Sequence, residues 1–89
     1  MSKKIALITG VGPGTGSSIA RRFSDGGYKV AMIARDKERL KSLEDELEDS
    51  KGYSCELRNQ EYLNSTVDNI IKDFGYPDVF IHNAVRGTR

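Results

Sequence analysis

The apolar residues of this chain follow two patterns that alternate along it, short continuous runs and stripes at helical spacing. Continuous apolar runs bounded by polar residues or glycine are typical of parallel strands that are buried on both faces. We predict strands at three such runs, over Lys4–Thr9, Lys29–Ala34 and Asp78–His82. A shorter strand is predicted over Tyr53–Leu57, after a turn at Ser50-Lys51-Gly52.

Three segments between these runs carry apolar residues at helical spacing. A first helix is expected over about residues 14–25 and a third, the clearest, over about residues 60–74. The second is capped by Asp36 and runs to about Asp49, and its charged run Glu44–Asp49 is expected to face solvent. The apolar face of this second helix is Leu40, Leu43 and Leu47.

This order of elements, β-α-β-α-β-α-β, predicts the fold class. With right-handed crossovers it gives α/β architecture, the first half of a Rossmann-type doubly wound parallel sheet with strand order 3-2-1-4. Ligands of such sheets bind at the carboxyl ends of the strands, beside the switch point between the first and fourth strands. We expect one domain over residues 1–89.

The first strand runs directly into a glycine-rich turn, Thr9-Gly10-Val11-Gly12-Pro13-Gly14-Thr15-Gly16. A buried strand, such a turn and a helix N-terminus place backbone N–H groups around one point, which favours a pyrophosphate. The spacing matches neither G-x-G-x-x-G nor a P-loop, which needs a lysine in the turn. It matches T-G-x-x-x-G-x-G. A plain loop is the alternative, but the flanking strand and helix favour a phosphate site.

This turn resembles the cofactor turn of the short-chain dehydrogenase/reductase family, and the resemblance extends from Lys4 to Ala84. It implies the N-terminal half of an NAD(P)-binding domain from an oxidoreductase that transfers hydride between carbonyl and alcohol. Gly12 and Pro13 lie in the variable middle and shape the turn, and Thr15 stands where the family more often has an apolar residue. The candidate cofactor-binding residues at the turn are Gly10, Gly12, Pro13, Gly14, Thr15 and Gly16.

The end of the second strand predicts the cofactor preference. An acid there would bind the ribose hydroxyls and repel a 2′-phosphate, but Ala34 occupies the position. By resemblance, NADP-preferring members carry an arginine one residue further on, where this chain has Arg35. A guanidinium pairs well with phosphate, so NADP(H) is favoured over NAD(H). Alternatively, Arg35 pairs with a nearby carboxylate such as Asp36, although Asp36 is expected to cap the helix.

The resemblance also covers the ends of the third and fourth strands. Glu56 and Leu57 align with an acid and an apolar residue that contact adenine, although a surface position for Glu56 is equally open. Ile81-His82-Asn83-Ala84-Val85 resembles the family's Asn-Asn-Ala-Gly segment, with Asn83 and Ala84 matching and lining the crevice. His82 cannot reproduce the paired donor and acceptor of an amide. As the single histidine it has no partners for a metal site.

Composition excludes several classes of function. The 14 basic and 13 acidic residues give a net charge of +1, without the basic stripe that nucleic-acid binding requires. The N-terminal apolar run is too short for a signal peptide or a membrane span. The single cysteine, Cys55, cannot form an internal disulfide and is expected to be a small buried residue, so a reduced cytoplasm is expected.

No catalytic residue is predicted. By resemblance, catalysis needs a serine and a Tyr-x-x-x-Lys pair, and none of the 4 tyrosines has a lysine four residues later. We expect the N-terminal portion of a longer reductase, with a small carbonyl or alcohol substrate; the alternative is a stand-alone half-fold that pairs with another chain. The apolar fourth strand would be a bare edge, so homo-oligomers or edge-paired assemblies are expected. The alternatives are a non-catalytic dinucleotide-binding sensor or scaffold, and an S-adenosylmethionine-dependent methyltransferase, against which the glycine spacing argues.

Overall fold

Strands and helices alternate along the chain in the computed structural model, which describes residues 3–10, 15–55 and 60–82. The strands are β1 (Ile5–Thr9), β2 (Lys29–Ala34), β3 (Ser50–Ser54) and β4 (Val79–His82). The helices are α1 (Thr15–Asp25), α2 (Lys37–Glu46) and α3 (Gln60–Phe74). The predicted alternation of strand and helix is confirmed.

The strands form one parallel sheet in the order β3-β2-β1-β4, which confirms the predicted order. Leu7 of β1 lies between Ala31 of β2 and Phe80 of β4 in the strand register. All strand carboxyl ends therefore lie at one edge of the sheet, and the switch point falls between β1 and β4.

The sheet buries apolar side chains on both faces, as its continuous apolar runs predict. On one face Ile8 and Met32 pack with Leu40 and Leu43 of α2 and with α1. On the other, Leu7, Ile33 and Cys55 pack with α3. Cys55 is the small buried residue that the sequence predicts. The two layers of helices leave the carboxyl ends of the strands as the place where a ligand can approach the sheet.

The third strand lies earlier in the chain than predicted. The structure places β3 at Ser50–Ser54, so the predicted turn at 50–52 is wrong, and the predicted strand over Tyr53–Leu57 overlaps the observed one only at Tyr53 and Ser54. Packing is the reason: Gly52 lies so close to α2 that a Cβ atom there would stand 2.6 Å from Leu40 Cβ. The Gly52 N–H donates to the Glu44 carboxylate, and the Cys55 N–H donates to the Ala34 carbonyl at 2.9 Å.

Helix α2 has the predicted N-cap but ends earlier than predicted. The Asp36 carboxylate accepts from the N–H groups of Glu38 and Arg39 at 3.0 and 3.2 Å. The helix ends at Glu46 instead of near Asp49, which has a left-handed φ of 52°. The expectation of a fully solvated run at 44–49 is wrong at Glu44, because its carboxylate binds the β3 backbone and is partly buried.

Candidate cofactor site

The glycine-rich turn leaves β1 through Gly10, which lies at the carboxyl edge of the sheet. Gly10 has a φ of 74°, a left-handed conformation that an L-residue adopts only at a cost. Its N–H donates to the carbonyl of Ile33 in β2 at 2.9 Å. The start of the turn is thereby fixed to the end of the neighbouring strand, and a glycine is required there as the sequence motif predicts.

Helix α1 begins at Thr15, at the same edge of the sheet. Gly16 and Ser17 in its first turn are buried, and this turn carries no acidic side chain. The N-terminal end of a helix presents unpaired N–H groups and a partial positive charge, which favour an anion. No carboxylate in the first turn competes for that position. The described geometry on both sides of the turn therefore fits a diphosphate.

Several sequence-predicted site residues lie outside the described residues, as does the side chain of Thr15. These residues are Gly12, Pro13, Gly14, Glu56, Leu57, Asn83 and Ala84. Their roles stay predictions. The described part of the site consists of the two ends of the glycine-rich turn and the ends of β1, β2 and β4.

Arg35 directly follows β2 at the carboxyl edge and is exposed. Its carbonyl oxygen accepts a hydrogen bond from the Ser54 hydroxyl at 3.3 Å, which ties the end of β2 to the end of β3. The neighbouring Asp36 carboxylate caps α2 and also lies 3.9 Å from the Arg39 guanidinium. The acid that could disfavour a 2′-phosphate is thus held by the helix N-terminus.

A side-chain hydrogen bond between β1 and β4 was not predicted from the sequence. The Thr9 hydroxyl and His82 Nδ1 lie 2.7 Å apart, at strand positions that are directly in register. Thr9 is fully buried, whereas His82 is exposed. His82 thus makes a side-chain hydrogen bond across the switch point. The sequence places both residues at the ends of predicted strands, but the hydrogen bond can be predicted only once the register of β1 and β4 is known.

A second polar cluster ties β3 to α3. Asp73 accepts hydrogen bonds from the Tyr53 hydroxyl at 2.8 Å and from Lys51 Nζ at 3.3 Å. These two bonds, the tyrosine's first, lower the pKa of the Asp73 carboxyl. Burial, followed by the hydrogen bond to Asp73, raises the pKa of Tyr53. Because these hydrogen bonds join β3 to α3, we interpret the cluster as one that stabilises the fold.

The described residues show neither a metal centre nor a membrane span. Within residues 3–10, 15–55 and 60–82, no group of three or more His, Cys, Asp or Glu side chains could hold a metal ion. None of the helices in these ranges is both long and apolar enough to cross a bilayer. A polar depression lined by Arg21, Ser24 and Glu46 lies where α1 and α2 end, at the opposite edge from Gly10.

Known proteins resemble this chain in both sequence and structure. The family model described as short chain dehydrogenase matches residues 4–88. A probable 2,4-dienoyl-CoA reductase of Caenorhabditis elegans is 37% identical over 87 residues, which cover 91% of this chain and 28% of that protein.

Solved structures agree with the sequence relatives. An actinorhodin polyketide ketoreductase variant with NADPH superposes with a TM-score of 0.88 at 32% identity, over 94% of this chain and 34% of that one. An NAD⁺-bound xylitol dehydrogenase gives a TM-score of 0.88 at 29% identity, over 93% and 34%. The chain thus spans about a third of the length of these two structures and 28% of the dienoyl-CoA reductase. With a family model that matches almost its whole length, this chain belongs to the short-chain dehydrogenase/reductase family.

Proposed function

We propose that this chain is the cofactor-binding segment of a cytosolic, NADP(H)-dependent short-chain oxidoreductase that interconverts a carbonyl and an alcohol. The observation that carries the proposal is the turn between β1 and α1. It leaves β1 through a left-handed Gly10 that is bonded to β2, and it enters a helix whose first turn has no acidic side chain. This arrangement is suited to the diphosphate of a dinucleotide. Membership of the family supports it.

We propose that the ends of different strands bind different parts of the cofactor. In the proposed complex the diphosphate binds at the glycine-rich turn, Arg35, Glu56 and Leu57 bind the adenosine half, and Asn83 and Ala84 line the crevice. When bound, the nicotinamide gives or accepts the hydride. The residues of this chain bind and orient the cofactor, and none is assigned to proton transfer because no tyrosine is followed by a lysine at the family spacing.

The preference for NADP(H) rests on the end of β2. Among the similar structures one contains NADPH and another NAD⁺, so both cofactors occur on this fold. In this chain the exposed residue at the strand end is Arg35, and the carboxylate of Asp36 is occupied by the α2 backbone. A guanidinium can pair with a 2′-phosphate through two parallel hydrogen bonds. Local charge therefore favours the phosphorylated cofactor.

Direct binding measurements test the proposal. Isothermal titration calorimetry and NADPH fluorescence are measured with NADPH, NADH and S-adenosylmethionine, on a chain shown to be folded by circular dichroism. We expect binding of both dinucleotides, with NADPH the tighter, and none of S-adenosylmethionine. A folded chain that binds neither dinucleotide at millimolar concentration refutes the proposed function, and equal affinities refute the NADP(H) preference alone.

A further inference from the structure

The hydrogen bond between Thr9 and His82 places the single histidine of the chain at the switch point of the sheet. Both residues end their strands, and β1 continues from Thr9 directly into the glycine-rich turn. The proposed diphosphate site and the imidazole therefore lie at the same edge of the sheet, and both are next to the carboxyl end of β1. A charge on the imidazole would therefore lie at the same edge of the sheet as the negative charge of a bound dinucleotide.

The Thr9 hydroxyl can hold the imidazole in either of its protonation states. A hydroxyl donates one hydrogen bond and accepts others, so it can donate to an unprotonated Nδ1 or accept from a protonated one. Protonation of the ring keeps this 2.7 Å bond: its direction reverses if the neutral ring carries its proton on Nε2 and is unchanged if the proton is on Nδ1. The ring position is kept while its charge changes. Because Thr9 is fully buried, its side chain forms a fixed anchor for the exposed histidine.

Among residues 3–10, 15–55 and 60–82, no carboxylate is hydrogen-bonded to the imidazole, whose hydrogen bond is with Thr9. β1 supplies the uncharged Thr9, and the first turn of α1 has no acid. Arg35, at the end of β2, is cationic. α3 begins at the same edge with the exposed Glu61 and Tyr62. The acid nearest to β4 in the sequence, Asp78, lies at the other end of that strand and accepts from the Ile5 N–H at 2.8 Å.

We propose that protonation of His82 strengthens binding of the anionic dinucleotide, so that this chain holds its cofactor more tightly as the pH falls through the titration of the imidazole. The inference rests on the proposed function. Histidine is the side chain that ordinarily titrates between pH 5 and 8. In this role His82 changes the affinity for the cofactor, and it takes no part in hydride or proton transfer.

The titration of the histidine itself gives the test. The C2–H proton signal of His82 is followed by NMR between pH 5 and 8.5, without ligand and with saturating NAD⁺. NAD⁺ is used because it lacks a 2′-phosphate, whose own ionisation near pH 6 would overlap. In a chain with 1 histidine the signal is unambiguous. In any longer form of the protein, its disappearance in His82→Asn assigns it.

Thermodynamic linkage fixes the expected size. If the charged ring binds the dinucleotide about three- to tenfold more tightly, a range suited to an exposed charge, then bound NAD⁺ must move the titration midpoint up by about 0.5–1 pH unit. In calorimetry, the affinity of the natural chain for NAD⁺ should rise by the same factor from pH 8 to pH 5.5. The His82→Asn variant, with an uncharged hydrogen-bonding side chain, should show no such rise.

The outcomes separate this inference from the proposed function. If NAD⁺ binds but the midpoint stays within 0.1 pH unit of its ligand-free position, His82 does not sense the cofactor and the inference is wrong, while the proposed function stands. A downward movement also overturns it. If no dinucleotide binds to the folded chain, the proposed function fails and this inference fails with it.

Discussion

Replacing Gly52 with alanine should destabilise the fold through a contact that the structure defines closely. The added Cβ atom would stand 2.6 Å from Leu40 Cβ, with two further atoms of the same side chain at 3.1 and 3.2 Å. Leu40 is buried, and its Cβ atom is fixed to the α2 backbone, so rotating the side chain does not relieve the contact. Forcing extra atoms into a packed core costs about 1–3 kcal/mol. Helix α2 and strand β3 must separate to accept the new methyl group.

Two other glycines provide matched controls. A Cβ atom at Gly26 would stand 3.5 Å from its nearest neighbours, in ordinary contact, so Gly26→Ala should be neutral or stabilise by up to about 1 kcal/mol. At Gly27 the space is open but φ is 90°, so Gly27→Ala should cost about 1–2 kcal/mol through backbone strain alone.

Thermal unfolding followed by circular dichroism checks this series. In a domain of this size, 1 kcal/mol corresponds to a Tm change of about 4–8 °C. Gly52→Ala should therefore unfold about 4–24 °C below the natural chain, and Gly26→Ala at or above it. If Gly52→Ala unfolds no lower than Gly26→Ala, β3 does not pack against α2 as described, and the position of the third strand must be revised.

Further substitutions test the site and its supports. Arg35→Ala should weaken NADPH binding by about 1–3 kcal/mol and NADH binding much less, whereas Arg22→Ala, on the last turn of α1, should change neither; equal losses for both cofactors would remove the 2′-phosphate role. Asp36→Ala removes the cap of α2 and should lower the free energy of unfolding by about 0.5–2 kcal/mol in urea denaturation, and an unchanged midpoint would contradict the cap. Because the folded-state pKa of Asp73 is lowered, its contribution to stability is present above its ordinary pKa and is lost as the pH falls through the folded value. Asp73→Asn should therefore be less stable than the natural chain at pH 7 and lose less stability than it below about pH 4; parallel acid unfolding curves would argue against the cluster. Phe80, 59% exposed on β4, should promote self-association in size-exclusion chromatography, and Phe80→Ser should reduce it; a monomeric natural chain would count against an exposed edge.

The sequence predicted most of the fold because its signals are local. Continuous apolar runs identify β1, β2 and β4, and the stripe of α3 defines a helix over the observed range. The N-cap of α2 was also predicted, since an aspartate before a charged helix is a local signal. In each case the residues that decide the structure lie within a few positions of one another.

The errors occur where distant residues decide. Ser50-Lys51-Gly52 has the composition of a turn, but it forms a strand because β2 offers a neighbour and α2 leaves room only for a glycine. Likewise, the Thr9–His82 contact depends on the register between strands that are far apart in the sequence. The glycine at position 10 was predictable from the T-G-x-x-x-G-x-G motif, and its φ of 74° shows why a glycine suits this position.

The hydrogen bond from the Gly52 N–H to the Glu44 carboxylate makes the two edge strands of the sheet, β3 and β4, differ in their ability to pair with another strand. Asp49 and Cys55, which flank β3, direct backbone groups toward β2, so the amide of Gly52, which alternates with them, points outward. The Glu44 carboxylate accepts the hydrogen bond of this amide, so the Gly52 N–H cannot pair with an added strand. Its negative charge also repels the carbonyl oxygens of such a strand. An additional strand is therefore expected to pair more readily with β4, the opposite edge of the sheet, than with β3.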